Sequence, residues 1–525
     1  MLKRIAVTAF ALLMCIILAA PAFAAAPMQS YYYNAGGLAV SAPMPYSFVK
    51  EITGEDLMMK NPETGEMESI GNFKNPGELV VGKDNSIYVV DSGNARIVVI
   101  NEDLVVTKIL SEFYYKGETL TLNTGAQGLY VYEYDGKKEL YISDTDNNRI
   151  IHCDMDGNVK NIYTKPDWIG VNDDQAFYPA RLVVDRAGRM YLLGRTVNRG
   201  VIKMGADGSF DSFYGAPPVV YSFAEKIWRA LSTDAMRQAS IQYVPTEYSS
   251  ISMDSRGFIY VTQSDLNRKE FYGTFYTTPD ASSARSQVAA VRKLSLAGAD
   301  ILVRGGIFPP VGEITILDIN AYSPIAAGFS LFTDISITDY DVYTVLDRNR
   351  GRLFTYDAEG NLLFIFGNVA SQDGAFMFPV AVSYYKGDQL IVLDQQYGSI
   401  QVFSPTDYGA TVLGAVKAYH DGEYELSEEL WEKVLDLNSN MTVAYTGAGK
   451  SKFRAGDYTG AMADFKVSQN TIYYSKALSE YMKQLIGNSF SYIFLGALAL
   501  ALVMWILRMS KRFRAFLKDG VKKVM

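Results

Sequence analysis

Carboxylate and guanidinium groups recur at one spacing along this chain. Asp91 stands five residues before Arg96, Asp144 before Arg149 and Asp347 before Arg352, whereas the pattern lapses at Gly194/Arg199 and Asp394/Ser399. A carboxylate that closes a strand can accept hydrogen bonds from the loop amides after it, and an arginine can lay its stem over the sheet and bring its head to that carboxylate. Catalysis needs one asymmetric constellation, so a pair that repeats reads as architecture. The remaining reactive groups are sparse. The two histidines are His152 and His420, and the two cysteines are Cys15 and Cys153, too few for a zinc cluster. No glycine-rich phosphate loop follows a strand and opens a helix, so nucleotide use is unsupported. Glu78 and Asp185 are carboxylates of the type that binds calcium, although nothing in their spacing demands it.

The elements that carry the Asp–Arg pairs repeat. "ELVVGKDNSIYVVDSGNARIVVI" from Glu78 is echoed by "ELYISDTDNNRIIHCDMDGNV" from Glu139, "RMYLLGRTVNRGVIKMGADGSF" from Arg189, "GFIYVTQSD" from Gly257, "DVYTVLDRNRGRLFTYDAEGNLLFIFG" from Asp341 and "QLIVLDQQYGSIQVFSPTD" from Gln389. The aligned strand ends fall at Asp91, Asp144, Gly194, Gln263, Asp347 and Asp394. Each copy offers three or four short strands rich in Val, Ile, Tyr and Leu between Gly, Asn and Asp turns, the punctuation of antiparallel sheets. One such sheet cannot bury both faces. Six arranged radially can, which predicts a mainly β, six-bladed propeller.

These residues resemble the NHL-repeat propellers over roughly residues 45 to 408. The resemblance rests on Asn75-Pro76-Gly77 before the inner strand, Tyr88-Val89-Val90-Asp91 on the second, and the Asn94 and Arg96 that follow; Tyr141, Asp144, Asn148 and Arg149 match in the second copy. The last copy lacks an outer strand after Gln401–Ser404, and "PYSFVKEIT" (45–53) is a spare strand that could fill the vacancy and protect an edge. Between the third and fourth copies, "AEKIWRALSTDAMRQASIQ" from Ala224 reads as a helix on one rim, and Asn267 to Ser286 reads as a surface hairpin. A propeller of this kind implies ligand contacts at the channel mouth, for which Glu78, Gln127 and Arg181 are the candidates.

Beyond Pro405 the period changes. "GEYELSEELWEKVLDLNSN" from Gly422 and "GDYTGAMADFKVSQN" from Gly456 are offset by 34 residues and resemble a pair of tetratricopeptide repeats, with Gly422/Gly456 in the turn, Tyr424/Tyr458 opening the next helix, Ser427/Ala461 where helices touch and Trp431/Phe465 in the following layer. The resemblance implies a partner-binding groove, for which Tyr445 and Lys452 are the solvent-facing candidates. The region 473–485 is expected to cap these repeats.

Lys3 and Arg4, an apolar run to Ala20 and Ala22-Phe23-Ala24 form an export signal. Cys15 follows Met14 rather than the small residues that precede a lipidated cysteine, and without it no intrachain disulfide remains. "FSYIFLGALALALVMWIL" (490–507) is long enough to cross a bilayer, and the basic tail after it, Arg508, Lys511, Arg512, Arg514, Lys518, Lys522 and Lys523, places that end in the cytoplasm. The formal charge of −8 includes these basic ends, so the body between them is more acidic still and a poor nucleic-acid binder. The expected organisation is a signal peptide (1–24), a leader (25–44), the propeller (45–408), a small α-helical domain of tetratricopeptide-like repeats (409–485), a transmembrane helix (486–508) and a cytoplasmic tail (509–525).

These features together read as a single-pass membrane protein with its bulk extracytoplasmic. Its role would be that of a non-enzymatic binding or scaffold protein. The partner class is a membrane-associated complex such as a transporter or an envelope assembly, and the propeller ligand class is a carbohydrate or peptide. Two alternatives stand beside it: a propeller enzyme acting on a sugar or lactone through a channel-bound divalent metal, and a single-span sensor. Fold alone does not choose among them.

Overall fold

The computed structural model describes residues 30–33, 39–61, 64–167, 176–215, 247–263, 289–304, 310–313 and 330–522. The expected export signal, the helix expected from Ala224 and the insertion expected at 267–286 lie outside them.

Six antiparallel sheets succeed one another along the chain: blade 1 (78–110), blade 2 (128–163), blade 3 (179–214), blade 4 (248–294), blade 5 (332–366) and blade 6 (379–405). Both faces of each sheet are covered by neighbouring blades, which is why the second strands are buried along most of their length. In Ile87–Asp91, Ile87 and Val89 pack with Ile391 and Leu393 of blade 6, whereas Tyr88 and Val90 pack with Leu129 and Leu140 of blade 2. The two-residue period of a strand sends alternate side chains to two different cores.

The ring closes through strand Tyr46–Thr53, which pairs with Ser399–Pro405 with Ile52 opposite Ile400 and Phe48 opposite Phe403. Tyr46 is fully buried and stacks on Phe366 of blade 5 at 4.9 Å. Part of the expected leader (25–44) joins the propeller. Ser30–Tyr33 pairs with the outermost strand of blade 5, Tyr31 opposite Ile365, and Ala39–Ser41 pairs with Ser30–Tyr33 in turn. Tyr31 and Tyr33 donate hydrogen bonds to the buried Glu313.

The repeated pairs behave as architecture in blades 1 and 2. Asp91 Oδ2 lies 2.7 Å from Arg96 Nε, its Oδ1 accepts from the Lys74 amide at 2.7 Å, and Arg96 Nη1 reaches the Ile70 carbonyl. Asp144 and Arg149 repeat this, with the Asn123 amide and the Thr121 carbonyl. In blade 5 the pairing is different: Arg352 turns to Glu313 and the Tyr31 hydroxyl, and Asp347 is left to the amides of Leu331, Asn349 and Arg350. Glu313 offers that guanidinium a carboxylate already fixed by two tyrosines. Blade 6 has no arginine, and Asp394 takes four backbone amides instead, those of Met377, Phe378, Gln396 and Tyr397.

Five helices end the chain: α1 (Asp407–Asp421), α2 (Tyr424–Leu437), α3 (Thr442–Ala455), α4 (Tyr458–Val467) and α5 (Thr471–Lys522). Residues 417–525 form a compact unit separate from the propeller. Within it Ser427, Ala461, Trp431 and Phe465 are buried, and Ser451 Oγ bonds Ser427 Oγ at 3.0 Å. Phe465 stacks on Tyr473 at 5.4 Å, so the beginning of α5 belongs to this stack. Farther along, α5 is long and apolar enough to cross a membrane, and its most apolar stretch is unburied.

Candidate functional site

The innermost strands surround a central channel, and the strand register makes one layer of it out of one residue per blade. Glu78 lies opposite Val90, Gly128 opposite Ser143, Arg181 opposite Leu193, Ser250 opposite Thr262, Asp334 opposite Leu346 and Ala381 opposite Leu393, each partner being one step before the strand-end position that defines the repeat. Arg181 crosses this layer. Its Nη1 lies 3.0 Å from Glu78 Oε2 and 2.8 Å from Asp334 Oδ1, and its Nη2 donates to the Val380 carbonyl at 3.0 Å. Ser250 Oγ donates to Asp334 Oδ1 at 2.6 Å, and the Val382 amide donates to Asp334 Oδ2 at 2.8 Å. Gly128 is the member that lets blade 3 come close, since a Cβ there would stand 2.1 Å from the Ala180 carbonyl and 2.9 Å from Arg181 Cα.

Burial in this layer pushes the Glu78 carboxyl up to about 8 even though Arg181 opposes the shift, because Asp334 shares the same cation. Arg181 itself is held above the ordinary arginine value by the two carboxylates, against the effect of its burial. One cation serves two acids, so the layer carries one net negative charge when both are ionised and none when Glu78 is protonated.

Beyond the Arg181 layer, toward the hairpin turns between first and second strands, the channel opens into a cavity of about 340 Å³. Its walls include Tyr130, Ser252, Ser336 and Ser383, and its mouth is set by Lys83, Glu133, Tyr134, Ser255 and Asp339. It is therefore a polar, carboxylate-rich recess with a fixed ionic floor and two tyrosine rings, able to hold a small hydrogen-bonding molecule.

Of the channel residues singled out from the sequence, Glu78 and Arg181 meet and Gln127 does not join them. Gln127 sits at the opposite end, where its Oε1 accepts from Arg195 Nε at 3.0 Å. Asp185 is occupied in a hairpin turn, accepting from the amides of Ala187 and Arg189 and from Arg189 Nε. Glu78 is ion-paired with Arg181, and among the described residues no three His, Cys, Asp or Glu side chains converge as metal ligands. His152 pairs with Glu139 in blade 2 and His420 with Asp421 in α1.

Asp334 and Ser250 were missed. The signal was present: aligned on the strand ends, the copies place Glu78, Arg181, Ser250 and Asp334 at the same inner-strand position, a polar column one residue wide.

In the helical unit, Tyr445 is half-buried and donates to the Ser439 carbonyl at 3.3 Å. Lys452 was expected to face solvent and does not. It is 17% exposed and bridges α2, α3 and α4 through Asp464 at 3.0 Å, Glu432 at 3.4 Å and Glu428 at 3.8 Å. A long lysine beside three carboxylates is drawn along the stack surface rather than out of it.

No family model matches the chain, and no curated protein matches it in sequence. Among solved structures it is similar to a streptogramin B lyase (11% identity over 66% of this chain and 85% of that one, TM-score 0.36). A virginiamycin B lyase from Staphylococcus aureus is similar at 10% identity (63% and 94% covered, TM-score 0.35). A gluconolactonase from Xanthomonas campestris is similar at 11% identity (63% and 86% covered, TM-score 0.35). These are likenesses of fold, and no residue role is carried over from them.

Proposed function

We propose that the chain is a membrane-anchored extracytoplasmic binding protein whose propeller holds a small polar ligand and whose helical repeats, of tetratricopeptide type, engage a membrane-associated protein complex. The observation that carries this reading is α5, a single helix from Thr471 to Lys522 that packs in the helical stack at one end and is apolar and unburied farther on. A binding surface continuous with a membrane span meets its partners at high local concentration, so weak contacts suffice. The charge pattern supports the orientation, with an acidic body outside and a basic tail inside. The carboxylate-rich cavity favours a ligand rich in hydroxyl or amino groups, as a carbohydrate or a peptide amine would be.

An enzymatic reading keeps one observation in its favour: Glu78, buried at the cavity floor with its carboxyl pushed up to about 8, is poised to exchange a proton near neutral pH. Topology tests the leading reading. Protease added to cells stripped of any wall and outer membrane should degrade the propeller and leave a fragment beginning near Phe490. A propeller protected until the membrane is permeabilised refutes it. Turnover of a lactone that is lost in Glu78→Gln would favour the enzyme instead.

A further inference from the structure

The end of the channel opposite the cavity has its own chemistry. There the residue just after the second strand of a blade approaches a neighbouring blade: Ser92 Oγ donates to the Ala126 carbonyl, Gln395 Nε2 to the Pro76 carbonyl, and Arg195 Nε to Gln127 Oε1. The same position is Thr145 in blade 2 and Arg348 in blade 5. Arg348 lies with its guanidinium 4.7 Å from the centroid of the Phe378 ring, just before the innermost strand of blade 6. The arginine is half-buried, and among the described residues its guanidinium makes no hydrogen bond and no ion pair. Every other arginine of this channel has an acid: Arg181 has two, and Arg195 has Asp146 at 3.1 Å.

We propose that this end of the channel binds a small anion of the carboxylate or phosphate type, with the Arg348 guanidinium as its main contact. A planar, weakly hydrated guanidinium braced on an aromatic face is preorganised to offer two parallel donors to such a group. Burial and the Arg181 cation behind it hold the Arg348 pKa below the ordinary arginine value, and the Asp347 charge only partly offsets this, so an incoming anion relieves an existing electrostatic cost. The Arg181 layer closes the channel behind, which limits the ligand to what the rim can hold. The site is separate from the cavity at the other end and does not depend on what that cavity binds.

The test is calorimetric titration of the full chain in neutral detergent micelles, at an ionic strength of about 0.15 M, with inorganic phosphate and, separately, succinate. At least one probe should bind, and the preferred one identifies the anion type. Arg348→Gln should weaken binding about tenfold, while Arg189→Gln, on the blade 3 hairpin turn at the cavity end, should leave it unchanged. Should Arg348→Gln fail to fold, Arg348→Lys keeps the charge and loses the fork, and a clear weakening is still expected. Failure of both probes to bind the unmodified chain, or equal binding by the folded Arg348 variant, overturns the proposal.

Discussion

Replacing Arg181 by methionine should destabilise the propeller by roughly 3 to 5 kcal/mol at pH 8. The substitution keeps most of the aliphatic stem and removes the cation that touches Glu78 at 3.0 Å, Asp334 at 2.8 Å and the Val380 carbonyl at 3.0 Å. Hydrogen bonds to charged groups contribute about 1.5 to 3 kcal/mol each, and part of that sum is returned because the guanidinium need no longer be desolvated. What remains is dominated by the two carboxylates left behind, 6% and 5% exposed, and removing one partner of a buried ion pair costs about 3 to 5 kcal/mol. The pH dependence identifies the mechanism. Without Arg181 two buried carboxylates lie together with no cation, so the folded state favours protonation more than the unfolded one does and stability falls as pH rises. The deficit should therefore shrink toward pH 5 and widen toward pH 8. Denaturant unfolding of the full chain in micelles, followed by near-ultraviolet circular dichroism of the propeller tyrosines, measures it. A variant within about 1 kcal/mol of the unmodified protein at pH 8, with no pH dependence of the difference, would show that the Arg181 layer does not hold the channel together.

Glu78→Gln should flatten the pH dependence of the unmodified chain: with a folded pKa of about 8 against about 4.3 unfolded, Glu78 contributes stability that is lost as pH rises through 8, and a retained slope between pH 6 and 9 in the variant would assign it to another group. Deleting residues 45–53 should expose the edge of Ser399–Pro405 and cause aggregation or a large loss of thermal stability, and deleting 30–41 should also destabilise, through blade 5; indifference to either in thermal melts would show that the strand pairing is dispensable. Trp431→Ala should cost the helical stack roughly 3 to 5 kcal/mol, as expected for a buried tryptophan. Lys452→Met should lower the stability of the same unit by about 1 to 2 kcal/mol by leaving Asp464 and its neighbours unpaired, and a variant as stable as the parent would return Lys452 to the list of surface contacts.

The parts of this fold that were legible in the sequence are those whose cause is local. Tyr88-Val89-Val90-Asp91 shows a doubly buried strand and the acid that ends it within four letters, and Asp394 still organises its loop where its arginine is missing, because amides supply what Arg96 and Arg149 supply elsewhere. The errors came where a side chain had a choice of partner that only the assembled ring decides. Arg352 keeps the repeat spacing to Asp347 yet pairs with Glu313, since two tyrosines from the far N-terminal strand have already fixed that carboxylate. Lys452 offers no sequence sign of its partners, whereas the carboxylates of α2 and α4 determine its position.

The channel layer lies between these cases. Arg181 is 103 residues from Glu78 and 153 from Asp334, so no window of sequence contains the triad, but ring symmetry turns that separation into identity of position within the repeat. A column aligned on the strand ends reads Glu78, Gly128, Arg181, Ser250, Asp334, Ala381. Two acids, one base, one hydroxyl and two residues small enough to make room for the base form a set in which each member accounts for the others: the acids retain the arginine, and Gly128 lets its strand approach. Aligned one residue past the strand ends, the same procedure gives Ser92, Thr145, Arg195, Arg348 and Gln395 among the described residues, a column with cations and no acid. In a radial repeat, the composition of such a column records the charge its ring must find elsewhere. The first column balances to within one proton, whereas in the second Arg195 finds Asp146 and Arg348 finds no acid, which is why the inner layer reads as structure and the outer one as a place for a ligand.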